Sequence, residues 1–221
     1  MFYFGPMSEP VALPTPADRA RDERDRARDH LGSALRELLD GVVRTGATAG
    51  EIEAAAATVQ RLTGVMRGRP STYRPHDNPF HPFSLVGGSA HPVGPQLRLE
   101  RTPDGVAGTV RLGPVFEGGP GLAHGGVLAL LFDHAMGTAV YVAGHAAMTR
   151  TLDVVYLAPT PHGVDLRVSA RVERIDGRKI YAAAQISHGE TVTATATALF
   201  IALTRDNVAR IFRVDPPSVA D

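Results

Sequence analysis

The sequence predicts an α+β protein, an antiparallel β-sheet wrapped around one long central helix, with a helical extension at the N-terminus. Three observations carry that expectation. Six runs between residues 96 and 204 alternate apolar with polar residues, the period of a half-buried strand. Between the second and third of these runs, "HGGVLALLFDHAMGTAVYV" is apolar on nearly every face, as a helix enclosed by a sheet must be. Ahead of them all, two stretches repeat apolar residues at three- and four-residue spacing.

Residues 1–16 contain several prolines and no period, and are expected to be a disordered leader. Residues 17–69 read as a helical hairpin. Asp18 to Asp29 interleave five acids with five arginines, with i,i+4 pairs such as Asp22 and Arg26, which suits a helix in water. Leu31, Leu35, Leu38, Leu39 and Val42 then form an apolar stripe, and the helix is expected to stop near Gly41 to Gly46. Ile52, Ala55, Ala56, Val59, Leu62 and Met66 stripe a second helix. Both stripes are expected to pack on the rest of the protein or on a partner chain. Residues 70–95, with six prolines, read as an irregular connector. In the domain of residues 96–204, "PQLRLER" and "GVAGTVRLG" are joined by "TPDG", whose Asp104-Gly105 signals a hairpin. After the helix come "TRTLDVVYL", "VDLRVSARVERI", "KIYAAAQISH" and "TVTATATALFIAL". Pro159-Thr160-Pro161, Asp176-Gly177 and Gly189 separate them, so a meander of four strands is expected. Residues 205–221 read as a C-terminal tail.

Basic and acidic residues both total 23, so there is no basic field for nucleic acid or an anionic membrane. The chain has no cysteine, which removes disulfides, thiolate metal sites and a cysteine nucleophile together. No uninterrupted run approaches about 18 apolar residues, and no signal-like N-terminus is present, so a cytoplasmic protein is expected. There is no "GxSxG" elbow, phosphate-binding glycine loop or paired-histidine motif.

Asp133 is the residue that this arrangement makes costly. A carboxylate on the middle turn of a buried helix loses its hydration, so it needs a hydrogen-bond partner, a wet edge or a chemical task. His134 follows it but points about 100° away around the helix, which is poor geometry for a metal pair. Gly125 and Gly126 occupy the first turn, where orphan amides and the positive end of the macrodipole suit a developing oxyanion. Eight residues separate Gly125 from Asp133, roughly 12 Å along one helix at about 1.5 Å per residue. If the amides of one helix and the acid of another flank one carbonyl, the site is shared by a symmetric dimer.

"HGGVLALLFDHAMG", with the "EGGPG" that precedes it, resembles the hotdog-fold acyl-CoA thioesterases of the phenylacetate-degradation type, over about residues 95–204. In that family His-Gly-Gly opens the central helix and an acid stands nine positions after the histidine. The resemblance implies a hotdog fold and hydrolysis of an acyl-CoA thioester to free acid and coenzyme A, at a site shared between subunits of a homodimer or a dimer of dimers. It implies no cofactor beyond the coenzyme A of the substrate. Carried over by position, Gly125, with Gly126 beside it, polarises the thioester carbonyl, and His124 helps to place the loop. Asp133 matches the acid that acts as nucleophile or as general base for water. Thr149 matches a hydroxyl residue that orients the water or the acid. Arg178 and Lys179 of "GRK" match a segment near the coenzyme A phosphates. One departure is Gly118, where some relatives carry an asparagine six residues before the histidine.

Two other readings compete. "HDNPFH", residues 76–81, is similar to the "DxNPxH" dyad of hotdog hydratases, but Asp77 abuts Asn78 and the spacing is short by one residue. A hotdog protein that binds an acyl-CoA or small ligand without hydrolysing it is the non-enzymatic alternative. His124, Gly125, Gly126 and Asp133 together argue against it, because a pure binder needs no carboxylate beside an oxyanion hole.

Overall fold

The computed structural model describes residues 23–68 and 82–204. The leader, the tail, residues 18–22 of the charged helix and "HDNPFH" lie outside the described residues. Helices α1 (Glu23–Val43) and α2 (Ala49–Arg67) precede strands β1 (Arg98–Thr102) and β2 (Gly105–Arg111). A 3₁₀ turn at Pro114–Phe116 leads to α3 (Gly125–Val142), then β3 (Ala147–Tyr156), β4 (Asp165–Asp176), β5 (Lys179–His188) and β6 (Thr191–Ala202). All six strands form one antiparallel sheet in the order β1-β2-β4-β5-β6-β3. This is the hotdog fold: a sheet curled around a central helix. After α3 the chain lays β3 along the far edge of the sheet, then crosses back to set β4 beside β2. The meander of β4, β5 and β6 turns tightly because Gly177 (φ +57°) and Gly189 (φ +56°) take left-handed backbone at the two hairpins.

The core lies between α3 and the concave face of the sheet. Leu131, Phe132, Ala135 and Met136 of α3 are fully buried, as are Leu166, Val168, Ile180 and Ile186 of the strands. Between those large residues Ala182, Ala184, Ala194, Ala196 and Ala198 keep the sheet wall shallow, which gives a helix 18 residues long room to lie close. By length and composition α3 could cross a membrane, although no uninterrupted apolar run was expected; half of it is buried inside the sheet, as befits a core helix. Leu128, Thr138, Ala139, Val140 and Val142 complete its buried face.

The N-terminal helices behave differently from each other. α1 docks on the domain through Gly32, where an added Cβ would lie 2.7 Å from the Ala90 carbonyl oxygen. Arg36 clamps the same contact, donating from Nη1 to the carbonyls of Ser89 (3.1 Å) and His91 (2.6 Å). Leu35 and Leu39 are half-buried, whereas Leu31, Leu38 and Val42 remain exposed. α2 starts at a complete capping box, Thr48 with Glu51, yet buries no residue. Its whole stripe, Ile52, Val59, Leu62 and Met66 included, is exposed. The expected packing on the chain's own domain is therefore met by part of α1 alone.

Candidate active site

Three elements converge on α3. At its start, His124 is the N-cap residue, and its Nδ1 accepts the Gly126 N–H at 3.0 Å. The Gly125 N–H, one of the first-turn amides that no helix can satisfy internally, has no hydrogen-bond partner among the described residues. Of the two glycines expected to polarise a carbonyl, only Gly125 thus presents a free donor. The Gly126 amide is taken by the cap.

The loop that delivers His124 is knotted by its own backbone. Gly118 N–H donates to Leu122 O (2.9 Å), Ala123 N–H to Thr160 O (2.9 Å) and His124 N–H to Phe116 O (2.9 Å). Glu117 of the "EGGPG" run accepts the Gly121 N–H at 2.6 Å and has His162 Nε2 at 3.4 Å. The Gly121 hydrogen bond, helped by the nearby His162, holds the Glu117 carboxyl below the usual carboxylate range. Gly118 is enclosed: an added Cβ would sit 2.8 Å from the His124 Cα. No side chain fits there, so the asparagine of some relatives has no equivalent in this loop.

Just over two turns further on, Asp133 finds a partner. Thr149 Oγ1 on β3 donates to Asp133 Oδ1 at 2.8 Å, and the aspartate is half-buried. A bulge makes this contact. In the β3–β6 register Thr149 faces Phe200 and Thr151 faces Leu199, which leaves Arg150 as the extra residue. Leu152 and Val154 pack inward on the core. By strict alternation Arg150 would join them and Thr149 would face out; the bulge reverses that parity and aims the threonine at α3.

His134, one position on, does not share the site. Its Nε2 lies against Gly87, where an added Cβ would stand 3.4 Å away. Burial pushes its pKa down to about 4, against the opposing charge of Asp133, so it is neutral at physiological pH. Among the described residues no three histidines or carboxylates converge to hold a metal ion.

Arg178 and Lys179 occupy the β4–β5 turn. Arg178 Nε donates to Ala202 O at 3.2 Å, and the Lys179 side chain is exposed. Lys179, Ile201 and Met148 lie in one row across β5, β6 and β3. The turn is therefore at the same end of the sheet as Thr149, two strand spacings or roughly 10 Å across. Tyr156 marks the other end of β3. Its hydroxyl donates to Gly125 O at 2.9 Å, a contact the sequence gives no spacing signal for. The start and the middle of α3 are thus served by opposite ends of one edge strand.

A sheet curled on a central helix, with His-Gly-Gly at its start and a hydroxyl-bonded acid in its middle, defines a hotdog domain of the thioesterase type. Residues 120–199 match the family model of the thioesterase superfamily. The chain is 45% identical over 94 residues to an acyl-coenzyme A thioesterase THEM4 of Xenopus laevis, covering 41% of this chain and 42% of that protein. It is 36% identical over 93 residues to an acyl-coenzyme A thioesterase THEM5 of Mus musculus, covering 41% of this chain and 38% of the relative. It therefore spans about two-fifths of the length of the curated relatives it matches. A crystal structure of another thioesterase superfamily protein superposes with a TM-score of 0.74 at 29% identity, over 89% of this chain and 97% of that one.

Proposed function

We propose that this protein hydrolyses acyl-CoA thioesters to free acid and coenzyme A, with Asp133 as the reacting acid and Gly125 N–H as an oxyanion donor. The observation that carries the reading is the Thr149–Asp133 hydrogen bond of 2.8 Å on a helix whose first amide has no partner among the described residues. Asp133 acts either directly, its carboxylate displacing the coenzyme A thiolate from the carbonyl carbon to form a mixed anhydride that water then opens, or by taking a proton from a water whose attack expels the same thiolate. In both routes charge builds on the carbonyl oxygen, and an oriented amide at a helix N-terminus stabilises it where it develops. Thr149 orients the acid. The substrate brings its own coenzyme A, and the Arg178–Lys179 turn, at the Thr149 end of the sheet, offers cations for its phosphates.

A single chain cannot bring the two groups together, because about 12 Å of helix separates them. The edge strand supports a shared site. Among the described residues β3 has no strand on its outer edge, and Met148, Val155 and Tyr156, with Leu157 beyond it, are exposed along its length. If two β3 strands pair antiparallel about their midpoint, the Thr149–Asp133 end of one faces the Tyr156–Gly125 end of the other. Each dimer then carries two equivalent sites, and two dimers can associate further.

The test is release of free thiol from aryl, medium-chain and long-chain acyl-CoAs, with hydration of crotonyl-CoA followed in parallel. Thiol release alone supports the reading. Hydration alone would assign a hydratase, and binding without either reaction would assign a ligand-binding protein.

A further inference from the structure

The peptide between Gly125 and Gly126 is held at both of its polar ends. Its carbonyl accepts the Tyr156 hydroxyl at 2.9 Å, and its N–H donates to His124 Nδ1 at 3.0 Å. Both contacts are close-packed. An added Cβ on Gly125 would meet Tyr156 Oη at 3.2 Å and Cζ at 3.3 Å; on Gly126 it would meet His124 Nδ1 and Cε1, each at 3.2 Å. A side chain at either position would crowd the phenol or the imidazole by a few tenths of an ångström.

The direction of these bonds has a chemical consequence. An imidazole nitrogen that accepts an N–H carries no proton, so the neutral ring must hold its proton on Nε2. The phenol strengthens that commitment, because a peptide whose carbonyl accepts a hydrogen bond is polarised and its N–H becomes the better donor. We infer that Tyr156 is a positioning residue for the start of α3: by holding the Gly125–Gly126 peptide it commits the Gly126 N–H to His124 Nδ1, so that the donors offered there are the Gly125 N–H and the His124 Nε2–H. His124 is exposed, and Nδ1 is turned back onto the helix, which leaves Nε2 on the side away from the cap. The second donor compensates for Gly118, where packing against His124 excludes a side-chain amide.

The catalytic half of this inference rests on the thioesterase reading, and the tautomer half stands without it. Tyr156→Phe removes one oxygen and keeps the ring that packs on Gly125. Long-range ¹H–¹⁵N spectra of histidine-labelled protein, assigned with a His124→Gln variant, report which ring nitrogen of His124 carries the proton. The expected result is an Nε2–H tautomer in the parent and a mixture of tautomers in Tyr156→Phe. Turnover of the acyl-CoA hydrolysed best should fall about tenfold in Tyr156→Phe, with KM within twofold and Tm unchanged. A purely structural tyrosine would instead lower Tm and leave kcat per folded molecule intact. A parent His124 with its proton on Nδ1, or a Tyr156→Phe protein with unchanged tautomer and full kcat, overturns the inference. If the parent hydrolyses no acyl-CoA, the thioesterase reading fails while the tautomer measurement still decides the role of Tyr156.

Discussion

Asp133 and His134 are neighbours on one helix with opposite fates, and each can be tested by a near-isosteric change. Asp133 is stabilised by the Thr149 hydroxyl and a partly wet environment, so an amide in its place still accepts that hydrogen bond. Asp133→Asn should therefore leave Tm within a few degrees of the parent while lowering kcat by about 10² or more, as general-base or nucleophile loss requires. Measuring both on the same preparation separates a catalytic acid from a merely hydrogen-bonded one; a stable and fully active variant rejects the assignment. His134 should govern stability. Its folded-state pKa is pushed down from 6.5 to about 4 by burial, so between those values the unfolded chain binds a proton that the folded chain refuses. Stability is thus complete above about pH 6.5 and is lost as pH falls towards 4, by up to about 3 kcal/mol. His134→Gln should flatten that part of the Tm–pH curve. An equally steep curve in the variant would place the acid sensitivity elsewhere.

Among the elements, α1 and α2 show how far a hydrophobic stripe can be read. The periodicity of Leu31 to Val42 and of Ile52 to Met66 specifies helices, and helices form. What it does not specify is the surface that covers them. α1 meets the domain through Gly32 on Ala90, Arg36 on the Ser89 and His91 carbonyls and Arg28 over the Phe83 ring, whereas of its apolar stripe only Leu35 and Leu39 are half-buried. Gly32→Val should undock α1 and destabilise the protein by about 1–3 kcal/mol, since its side chain meets backbone that cannot move aside. Replacing Ile52, Leu62 and Met66 together by glutamine should leave the unfolding of a single chain almost unchanged, because these side chains are exposed. Calorimetry on both variants checks the contrast, and the reverse order of stabilities would show that α2 is the helix that packs. The site was legible to a similar depth. His124, Gly125 and Asp133 stand at helical positions that chain spacing fixes, so their places on α3 could be counted in advance. The Arg150 bulge could not be, because it exists only as a mismatch between β3 and β6; without it the direction of Thr149 is read wrongly. Tyr156 was invisible for a related reason, since 31 residues and a change of element separate it from the carbonyl it touches.

For the whole molecule, the decisive quantity is the length of α3 against the reach of one thioester. A carbonyl carbon and its oxygen are about 1.2 Å apart, so the acid and the oxyanion donor must stand within a few ångströms of each other. About 12 Å of helix separates them in a single chain. No rotamer of Asp133 spans that distance, and α3 is too tightly enclosed to bend, with nine of its 18 residues buried. On the proposed function, a second copy of the chain paired along β3 would meet the requirement without distorting either core. Activity should therefore follow dimer concentration. Placing a lysine at the exposed Val155 would set a charge on the β3 edge and weaken strand pairing, while the groups on α3 keep their places. Analytical ultracentrifugation and thiol release measured across one dilution series should then give coincident midpoints for dissociation and loss of activity, both shifted to higher protein concentration in Val155→Lys. A parent monomer with full specific activity would mean that the two ends of α3 never act on the same carbonyl, and the shared site would have to be abandoned.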